Sequence, residues 1–375
     1  MLTSLRIQNF RSIRDASVKL GQVNLFIGPN NSGKSNFLKG ISEIAKRISD
    51  YPTNQEVSIE WFEKNLTRST KTDIDSPPVV QLHISDRISE SKSCEIDYLI
   101  QLKPRLMKKE TSTTLKAEVI NHQNHSREAL DLNIAKPEFI AFPGSFYRVW
   151  EQLKNCIVYK IEPSSFEVSV ALSHQPILDA NGANVANFIN TLGQNHENLF
   201  TQLKRNFSNC VGNLISISTP PDPIFKGNLK LKFFDSSNDS FWADEVSEGV
   251  LYFLALLCIV HQPDPPKLLL LEEPEKGIHP RRIKEVMDFI FELARLRDIQ
   301  IILTSHSPYV VDHFADIPEC ISVFDRENGE TVIHNAGDII TDTNEKLAAE
   351  GKKPIRYTDS LGEHWVSGFL GGVPV

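Results

Sequence analysis

The sequence predicts an α/β fold with a mixed or parallel central sheet, an N-terminal antiparallel β-lobe and an inserted helical lobe. Buried strand-like segments alternate with helical segments in residues 1–50 and again after residue 245, and this alternation favours a parallel sheet. Three strand-like runs between residues 79 and 120 are separated by charged turns, which is typical of an antiparallel sheet. Apolar positions recur at helical spacing from Val185 to Leu214, and a break at Gly193 and Asn195 divides them into two predicted helices.

The first 50 residues contain a phosphate-binding motif. Residues 28–35 read GPNNSGKS and match G-x-x-x-x-G-K-[ST], the P-loop pattern. A buried strand-like segment, Val23–Ile27, precedes the motif, and an amphipathic helix opens at Asn36. The glycines let consecutive N–H groups and the helix N-terminus point at one anion. The motif therefore predicts that a nucleoside triphosphate is bound by Gly28, Pro29, Asn30, Asn31, Ser32, Gly33, Lys34, Ser35 and Asn36.

Two later segments bring polar side chains to strand ends. Residues 267–274 read KLLLLEEP, a buried strand that runs into Glu272 and Glu273. Residues 301–305 form another buried strand, which is followed directly by His306. Carboxylates at the carboxyl end of a parallel strand face the ligand crevice of an open α/β sheet.

These residues together suit the hydrolysis of a nucleoside triphosphate. Lys34 is predicted to reach the β- and γ-phosphates, while Ser35 and Glu272 supply oxygen ligands to Mg²⁺. Glu273 is suited to act as the general base, or to orient the attacking water. His306 can hydrogen-bond the γ-phosphate or that water. Each acid or histidine alone is commonly a solvated loop residue, but their order after a P-loop favours a catalytic set of Lys34, Glu273 and His306.

A third segment predicts a helix that begins beside a serine. The tripeptide Ser247-Glu248-Gly249 precedes the apolar run Val250–Val260, which reads as a buried helix capped by Ser247. Prolines shortly after the run prevent its continuation. The run is too short to span a bilayer.

Basic residues at two places allow two interpretations each. Arg11, within Asn9–Ser12, is either a surface charge at a strand end or a side chain that contacts the nucleotide. The second place is a hairpin tip in an acidic protein, and it is either solvated or a contact for the phosphate backbone of DNA. Its residues are Lys103, Arg105, Lys108 and Lys109.

Composition limits the class of protein. The net charge of -8 argues against a protein that coats nucleic acid unselectively. Five widely spaced cysteines without a C-x-x-C pair predict neither a disulfide framework nor a zinc site. The N-terminus lacks an apolar signal region. We therefore expect a soluble protein of a reducing compartment, the cytoplasm, without a membrane partner.

Several segments resemble ABC-type ATPases of the SMC/RecF/OLD kind. Residues 268–280 resemble the Walker B motif and D-loop of these ATPases, and residues 304–308 resemble the segment that carries their switch histidine. Residues 246–249 resemble their signature motif, and residues 9–12 resemble their N-terminal strand motif. The segments Leu178–Asn184 and Leu361–Trp365, with Gly371 and Gly372, are similar to predicted ATPases of the AAA_21 group.

The resemblance implies a P-loop NTPase with an ABC-ATPase head over residues 1–375. Residues 1–50 and 245–375 would form the nucleotide-binding core, 51–180 a β-rich inserted lobe, and 181–244 a helical lid that leads to the signature motif. The resemblance further implies ATP and Mg²⁺ as ligands and a nucleotide contact for Arg11. It also implies an ATP-dependent homodimer in which Ser247 acts in trans on nucleotide bound by the partner copy.

Two departures from the family pattern affect these expectations. Glu272 stands where aspartate is commoner at the metal position. Glu248 replaces a signature glycine, so anion affinity at that helix N-terminus should be weaker. OLD-type relatives carry a C-terminal Toprim nuclease. The tail after Ile321–Phe324 is roughly 50 residues long, the bottom of the domain-size range and too short for that fold, so we expect a separate protein to supply any nuclease.

The sequence thus favours an ATPase that dimerises on ATP, senses or acts on DNA, and switches a separately encoded effector such as a nuclease in antiviral defence or DNA repair. Two alternatives remain open. A nucleotide-binding subunit of a transporter would carry a glycine-rich signature, which is absent here. A nucleotide-gated scaffold without turnover would not need Glu273.

Overall fold

A computed structural model describes residues 1–49, 80–87, 95–106, 111–121, 126–131, 144–211, 213–355 and 360–373. The chain divides into two compact units. The first contains Met1–Cys156, Lys267–Leu270 and Asp298–Val375. The second contains Ile157–Pro266 and Leu271–Arg297. The division into core, inserted lobe and lid stays a prediction.

The strands, in chain order, are β1 (Leu2–Phe10), β2 (Ile13–Lys19), β3 (Val23–Ile27), β4 (Val80–Arg87), β5 (Glu95–Leu106), β6 (Thr111–Asn121), β7 (Ser126–Asp131), β8 (Val158–Tyr159), β9 (Val170–Ala171), β10 (Leu214–Ser218), β11 (Asn228–Leu229), β12 (Lys232–Asp235), β13 (Ser240–Trp242), β14 (Leu268–Glu272), β15 (Gln300–Thr304), β16 (Ile321–Glu327) and β17 (Glu330–Asn335). The α-helices are α1 (Lys34–Ser49), α2 (Gly144–Leu153), α3 (Val185–Asn195), α4 (Glu197–Cys210), α5 (Glu248–Val260), α6 (Pro280–Arg297), α7 (Pro308–Asp312), α8 (Ala336–Ala349) and α9 (Leu361–Val366).

The first unit contains an antiparallel sheet with the strand order β2-β1-β4-β5-β6-β7. Every neighbouring pair in this sheet is antiparallel, which confirms the predicted antiparallel lobe. Lys103 and Arg105 of the basic cluster lie on β5. Lys108 and Lys109 lie outside the described residues.

A second sheet in this unit has the strand order β17-β16-β3-β15-β14. The central strand β3 pairs in parallel with β15 and with β16, whereas β16 and β17 form an antiparallel hairpin. Every residue of β3 and β15 is buried, as expected for parallel strands covered on both faces. The predicted mixed α/β fold is therefore confirmed.

The second unit packs helices around the apolar helix α5, in which every residue from Gly249 to Val260 is buried. Small antiparallel sheets join β10, β12 and β13, and β9 with β11. The predicted break between helices α3 and α4 falls at His196 rather than at Gly193 or Asn195. Gly193 stays within the helix α3, and a Cβ there would be in ordinary van der Waals contact, 3.4 Å, with the Phe200 ring of α4.

Two short corrections concern strands. Leu214 begins β10 instead of ending a helix. The apolar character of Leu229–Phe234 in the sequence predicts a single strand, but the segment is divided between β11 and β12, which belong to different sheets. Tertiary pairing decided both cases, since short apolar runs do not distinguish these structures by periodicity.

His261 forms a buried polar cluster at the end of α5. Its Nδ1 lies 2.7 Å from the Leu257 carbonyl oxygen. Its Nε2 lies 2.6 Å from Nη2 of Arg297 and 3.1 Å from Nδ2 of Asn206. Because arginine can only donate, Nε2 must accept, and the ring is neutral with its proton on Nδ1. Burial, with the Arg297 charge, lowers the pKa of His261 from 6.5 to about 4.

We expect this histidine to make the protein less stable in mild acid. The unfolded chain binds a proton below pH 6.5 and the folded chain only near pH 4, so stability falls as the pH drops through this window. The loss between pH 7 and pH 5 should be about 2 kcal/mol. Urea unfolding of the wild type and of His261→Gln at both pH values measures it. The variant should lose this share of the pH dependence, and equal slopes for the two proteins would contradict the assignment.

In the part of the chain that the structure describes, no helix is both long and apolar enough to cross a membrane. The cysteines described there, Cys156, Cys210, Cys258 and Cys320, are free thiols.

Candidate functional site

The P-loop follows β3 directly and runs into the first turn of α1. Two positions in it accept only glycine. Gly28 has φ 140°, and a Cβ there would lie 2.1 Å from the carbonyl oxygen of Phe324. Gly33 has φ 114°, and a Cβ there would lie 2.2 Å from Oγ1 of Thr331. Asn31 adopts φ 67°, a conformation that asparagine tolerates better than most residues.

Lys34 is folded back onto the loop. Its Nζ donates hydrogen bonds to the carbonyl oxygens of Gly28 at 2.7 Å and Pro29 at 2.9 Å. These bonds hold the ammonium group within the turn, and only 6% of the residue is exposed. The loop thus places a positive charge beside the N-terminus of α1, where an anion is also favoured by the helix dipole.

The hydroxyl of Ser32, in the same loop, is a buried polar group without a hydrogen bond. It is buried and has no hydrogen-bond partner among the described residues. Buried polar groups in native proteins are normally satisfied, so an unpaired hydroxyl here fits a ligand with acceptor oxygens. Ser35 and Asn36 follow in the first turn of α1 and are half-buried, while Asn30 and Asn31 are exposed.

Arg11 lies at the tip of the β1–β2 hairpin, next to the start of α1. Its guanidinium donates to Oδ1 of Asn36 at 3.4 Å and stacks 5.3 Å from the centre of the Phe10 ring. The amide of Asn36 donates to Oγ of Ser12 at 2.9 Å. These contacts place Arg11 near the P-loop helix, as a nucleotide contact would require. Its role there stays a prediction.

Thr331 on β17 belongs to this network, and no motif in the sequence marks it. Its Oγ1 lies 2.9 Å from Oγ of Ser12, and its N–H donates to the Ser12 carbonyl oxygen at 2.9 Å. The residue is buried and lies against Gly33. It therefore supports the P-loop from a strand about 300 residues further along the chain.

The C-terminal segment also reaches the P-loop. The N–H of Gly362, in α9, donates to Oδ1 of Asp312 at 2.7 Å, which fixes α9 against α7. Gly372, with φ 62°, is so close that a Cβ there would lie 3.3 Å from Cα of Gly28. Close packing therefore explains Gly372, and it also explains Gly362, where a Cβ would lie 2.3 Å from the carbonyl oxygen of Pro308. Gly371 has open space around it, and its φ of 72° is what favours glycine there.

His306 lies at the same sheet edge as the P-loop. Thr304 of β15 is the register partner of Phe26 in the parallel strand β3, and the Ser305 N–H donates to the Phe26 carbonyl oxygen at 3.1 Å. Both strands therefore end side by side, with Gly28 two residues beyond Phe26 and His306 two beyond Thr304. The histidine side chain is exposed.

The two predicted carboxylates follow at the end of β14. Glu272 is its last residue, and Glu273 comes next with φ 51°. A glutamate in this left-handed conformation costs about 1–2 kcal/mol, and such strain concentrates at functional sites. Both residues are half-buried, and they belong to the second unit together with Ser247.

Ser247 occupies the N-cap position of α5, as predicted, but its hydroxyl makes no capping hydrogen bond. Its backbone carbonyl instead accepts from the N–H of Val250 at 2.9 Å, and its Oγ accepts from Nη1 of Arg282 at 3.4 Å. The predicted side-chain cap is therefore wrong, because the hydroxyl is turned toward Arg282. Neither Arg282 nor this contact could be read from the sequence, since the two residues lie on different helices.

The residues present fit a nucleotide with Mg²⁺ better than a metal held by protein alone. In the described ranges, no group of three or more His, Cys, Asp or Glu residues could hold a metal ion. Mg²⁺ commonly takes one or two protein oxygens together with phosphate and water. Ser35 and Glu272 stay the predicted protein ligands.

Substitution of Gly33 tests the fit of the loop against β17. We expect Gly33→Ala to lower the free energy of unfolding by about 2–4 kcal/mol, because it combines a positive φ with overpacking against the buried Thr331. Gly329→Ala is the matched control, since Gly329 has φ 85° but nothing within 4 Å of an added Cβ. Urea unfolding compares the two. Equal losses would show that the collision with Thr331 relaxes without cost.

The chain matches the AAA_21 family, described as "AAA domain, putative AbiEii toxin, Type IV TA system", over residues 23–312. No curated protein matches it. Among solved structures, the SMC head domain from Thermotoga maritima is 14% identical, with 89% of this chain and 98% of that chain covered and a TM-score of 0.48. The Smc head domain with an extended coiled coil from Pyrococcus furiosus, bound to the C-terminal domain of ScpA, is 11% identical, with 92% and 99% covered and a TM-score of 0.53.

The likeness to the Pyrococcus furiosus structure identifies the fold as that of an SMC head, and identity this low carries no further detail. The family match extends from the strand before the P-loop to the helix after His306, well over half of the chain. This protein therefore belongs to the AAA_21 family and has the fold of an SMC-type ATPase head.

Proposed function

We propose that this protein hydrolyses ATP, dimerises when ATP is bound, and uses that cycle to switch a separately encoded effector in response to DNA. The observation that carries the ATPase part is the meeting of the P-loop and His306 at one edge of a parallel sheet. This edge is where ligands bind in open α/β folds. The AAA_21 match, which spans both segments, supports the same conclusion.

Each predicted residue has one task in this proposal. The N–H groups of the P-loop and the Lys34 ammonium bind the β- and γ-phosphates. His306 hydrogen-bonds the γ-phosphate or the attacking water, and Arg11 contacts the nucleotide from the β1–β2 hairpin. Glu273 accepts the proton of the water or orients it. Ser35 and Glu272 would hold Mg²⁺, which, when bound, offsets the negative charge on the phosphates.

The dimer part of the proposal gives Ser247 a role in trans. The hydroxyl lies at the N-terminus of α5 and does not cap its own helix, so it remains available to an outside acceptor. Nucleotide held between two heads would bring it to the γ-phosphate bound by the partner copy. Head closure and release would then be the mechanical output.

The effector part is supported by two comparisons. The description of the AAA_21 family names a putative AbiEii toxin and a type IV TA system, which supports a role in defence. The Pyrococcus furiosus Smc head is bound to another protein, the C-terminal domain of ScpA, which supports the binding of a partner protein. Lys103 and Arg105 on β5 are candidate DNA contacts.

The proposal is tested with the purified protein. We expect ATP turnover that rises when double-stranded or single-stranded DNA is added, and a dimer that forms with ATP and not with ADP. Phosphate release and size-exclusion chromatography measure the two. If neither DNA nor cellular nucleic-acid extracts change turnover or dimerisation, the DNA part of the proposal is refuted and the ATPase part is unaffected. No turnover under any condition would favour the nucleotide-gated scaffold.

A further inference from the structure

The Arg282 side chain lies beside the hydroxyl of Ser247 at an exposed surface of the second unit. Nη1 of Arg282 is 3.4 Å from Oγ of Ser247, and both residues are exposed. Arg282 belongs to the first turn of α6, whereas Ser247 precedes the first turn of α5. The two helix N-termini therefore meet at this pair, next to a cavity of about 440 Å³ that both residues line.

The contact sets the direction of the serine proton. A guanidinium group has only donors, so Oγ of Ser247 must accept from Arg282. The serine hydrogen is then left to donate to another acceptor, and the hydroxyl oxygen accepts no capping hydrogen bond from the first turn of α5. Arg282 thus prepares Ser247 as a donor toward an outside acceptor, and its remaining N–H groups can reach the same acceptor.

The negative charge at this surface must be offset by a cation if a phosphate group is to bind there. Glu248 places a carboxylate at the N-terminus of α5, and its Oε2 lies so close to Gly277 that a Cβ there would be 2.4 Å away. This negative charge opposes the binding of a phosphate group. The carboxylates of Asp235, Glu245 and Glu285 also line the cavity, and Arg282 is the basic residue among its lining residues. Within the described ranges, Arg282 forms no ion pair with an acid.

The position of Arg282 in its own helix is electrostatically unfavourable. The first turn of α6 contains no acidic residue, and a cation near a helix N-terminus is repelled by the helix dipole. The charge of Arg282 therefore does not stabilise α6 through the helix dipole. An anion that binds at this surface would instead be attracted by Arg282 and by the N-termini of both helices.

We propose that Arg282 contacts the terminal phosphate of the nucleotide held by a second copy of the chain, together with Ser247. This inference rests on the proposed function, in which Ser247 acts in trans. Glu248, in place of the signature glycine, weakens the binding of an anion at the N-terminus of α5, and Arg282 restores that binding. Its guanidinium group supplies donors that match phosphate oxygens in a bidentate geometry.

Single substitutions measure its contribution. We expect Arg282→Ala to lower ATP turnover at saturating ATP on the order of 10–100-fold, by loss of a charged donor to the phosphate. Arg282→Lys should recover part of the rate. The affinity of the monomer for ATP should stay unchanged, because the contact is made across the dimer. Arg281→Ala is the matched control, an exposed arginine one position earlier in the same turn, and it should change turnover less than twofold.

A mixing experiment tests action in trans. Arg282→Ala and Lys34→Ala are each inactive or nearly so, but a mixed dimer contains one site built from the intact Lys34 of one copy and the intact Arg282 of the other. Equal mixing should therefore raise turnover clearly above the sum of the two variants measured separately, because each mixed dimer has one intact site. Ser247→Ala mixed with Lys34→Ala is the reference pair.

The outcomes separate the two proposals. Recovery in both mixtures supports the role of Arg282 in trans. Recovery with Ser247→Ala but not with Arg282→Ala would overturn the inference and leave the proposed function intact. No recovery in the Ser247→Ala mixture, or no turnover in the wild type, would defeat the trans mechanism itself and the inference with it. Circular dichroism and urea unfolding of Arg282→Lys exclude misfolding as the cause of a loss.

Discussion

Lys34→Ala should abolish ATP binding and lower ATP turnover by at least about 100-fold, the scale found for removal of a donor that stabilises charge in a transition state. The substitution removes the buried ammonium group that would meet the β- and γ-phosphates. It also removes the hydrogen bonds to the carbonyl oxygens of Gly28 and Pro29, so the loop loses both its charge and its internal support. Titration with a fluorescent ATP analogue and phosphate release measure the two effects.

Lys39→Ala is the matched control for this change. Lys39 lies on the same helix, one turn further along, and is exposed. Its substitution therefore removes one positive charge, as Lys34→Ala does, but leaves the contacts within the P-loop intact. Its ATP affinity should equal that of the wild type. If Lys34→Ala binds ATP as tightly as Lys39→Ala, the loop is not the phosphate site, and the proposed function loses its central element.

Glu273→Gln should trap the protein as an ATP-bound dimer. Glutamine keeps the size of the side chain and the backbone conformation with φ 51°, but it cannot accept the proton of the attacking water. We expect turnover to fall by about 100–10,000-fold, the usual contribution of a general base, while ATP binding persists. Size-exclusion chromatography with ATP and Mg²⁺ should then show a dimer that lasts for hours, whereas the wild-type dimer dissociates as ATP is consumed.

The same variant discriminates between an enzyme and a scaffold. A scaffold that only binds ATP would form an equally lasting dimer with either residue at position 273. Glu292→Gln, at an exposed position on α6, controls for the loss of a carboxylate and should leave turnover unchanged. Identical dimer lifetimes for the wild type and Glu273→Gln would therefore refute hydrolysis through Glu273.

Elements with strong local signals were predicted closely. The P-loop, the strand before it and the helix after it need only residues 23–49, because glycine geometry, apolar runs and helical spacing are all local. The end of β15 at Thr304, just before His306, was likewise readable from a short buried strand. Where periodicity was weak, as at Leu229–Phe234, pairing with distant strands decided the outcome.

The sequence by itself determined which candidate functional groups this protein has: a P-loop, two carboxylates and a histidine at strand ends, and a serine at the start of an apolar helix. Only the tertiary structure decided what surrounds them. Thr331 joins Ser12 across 319 positions, and Arg282 reaches Ser247 across 35. Such contacts depend on where whole strands and helices are packed, and the residues next to each partner in the chain do not encode them.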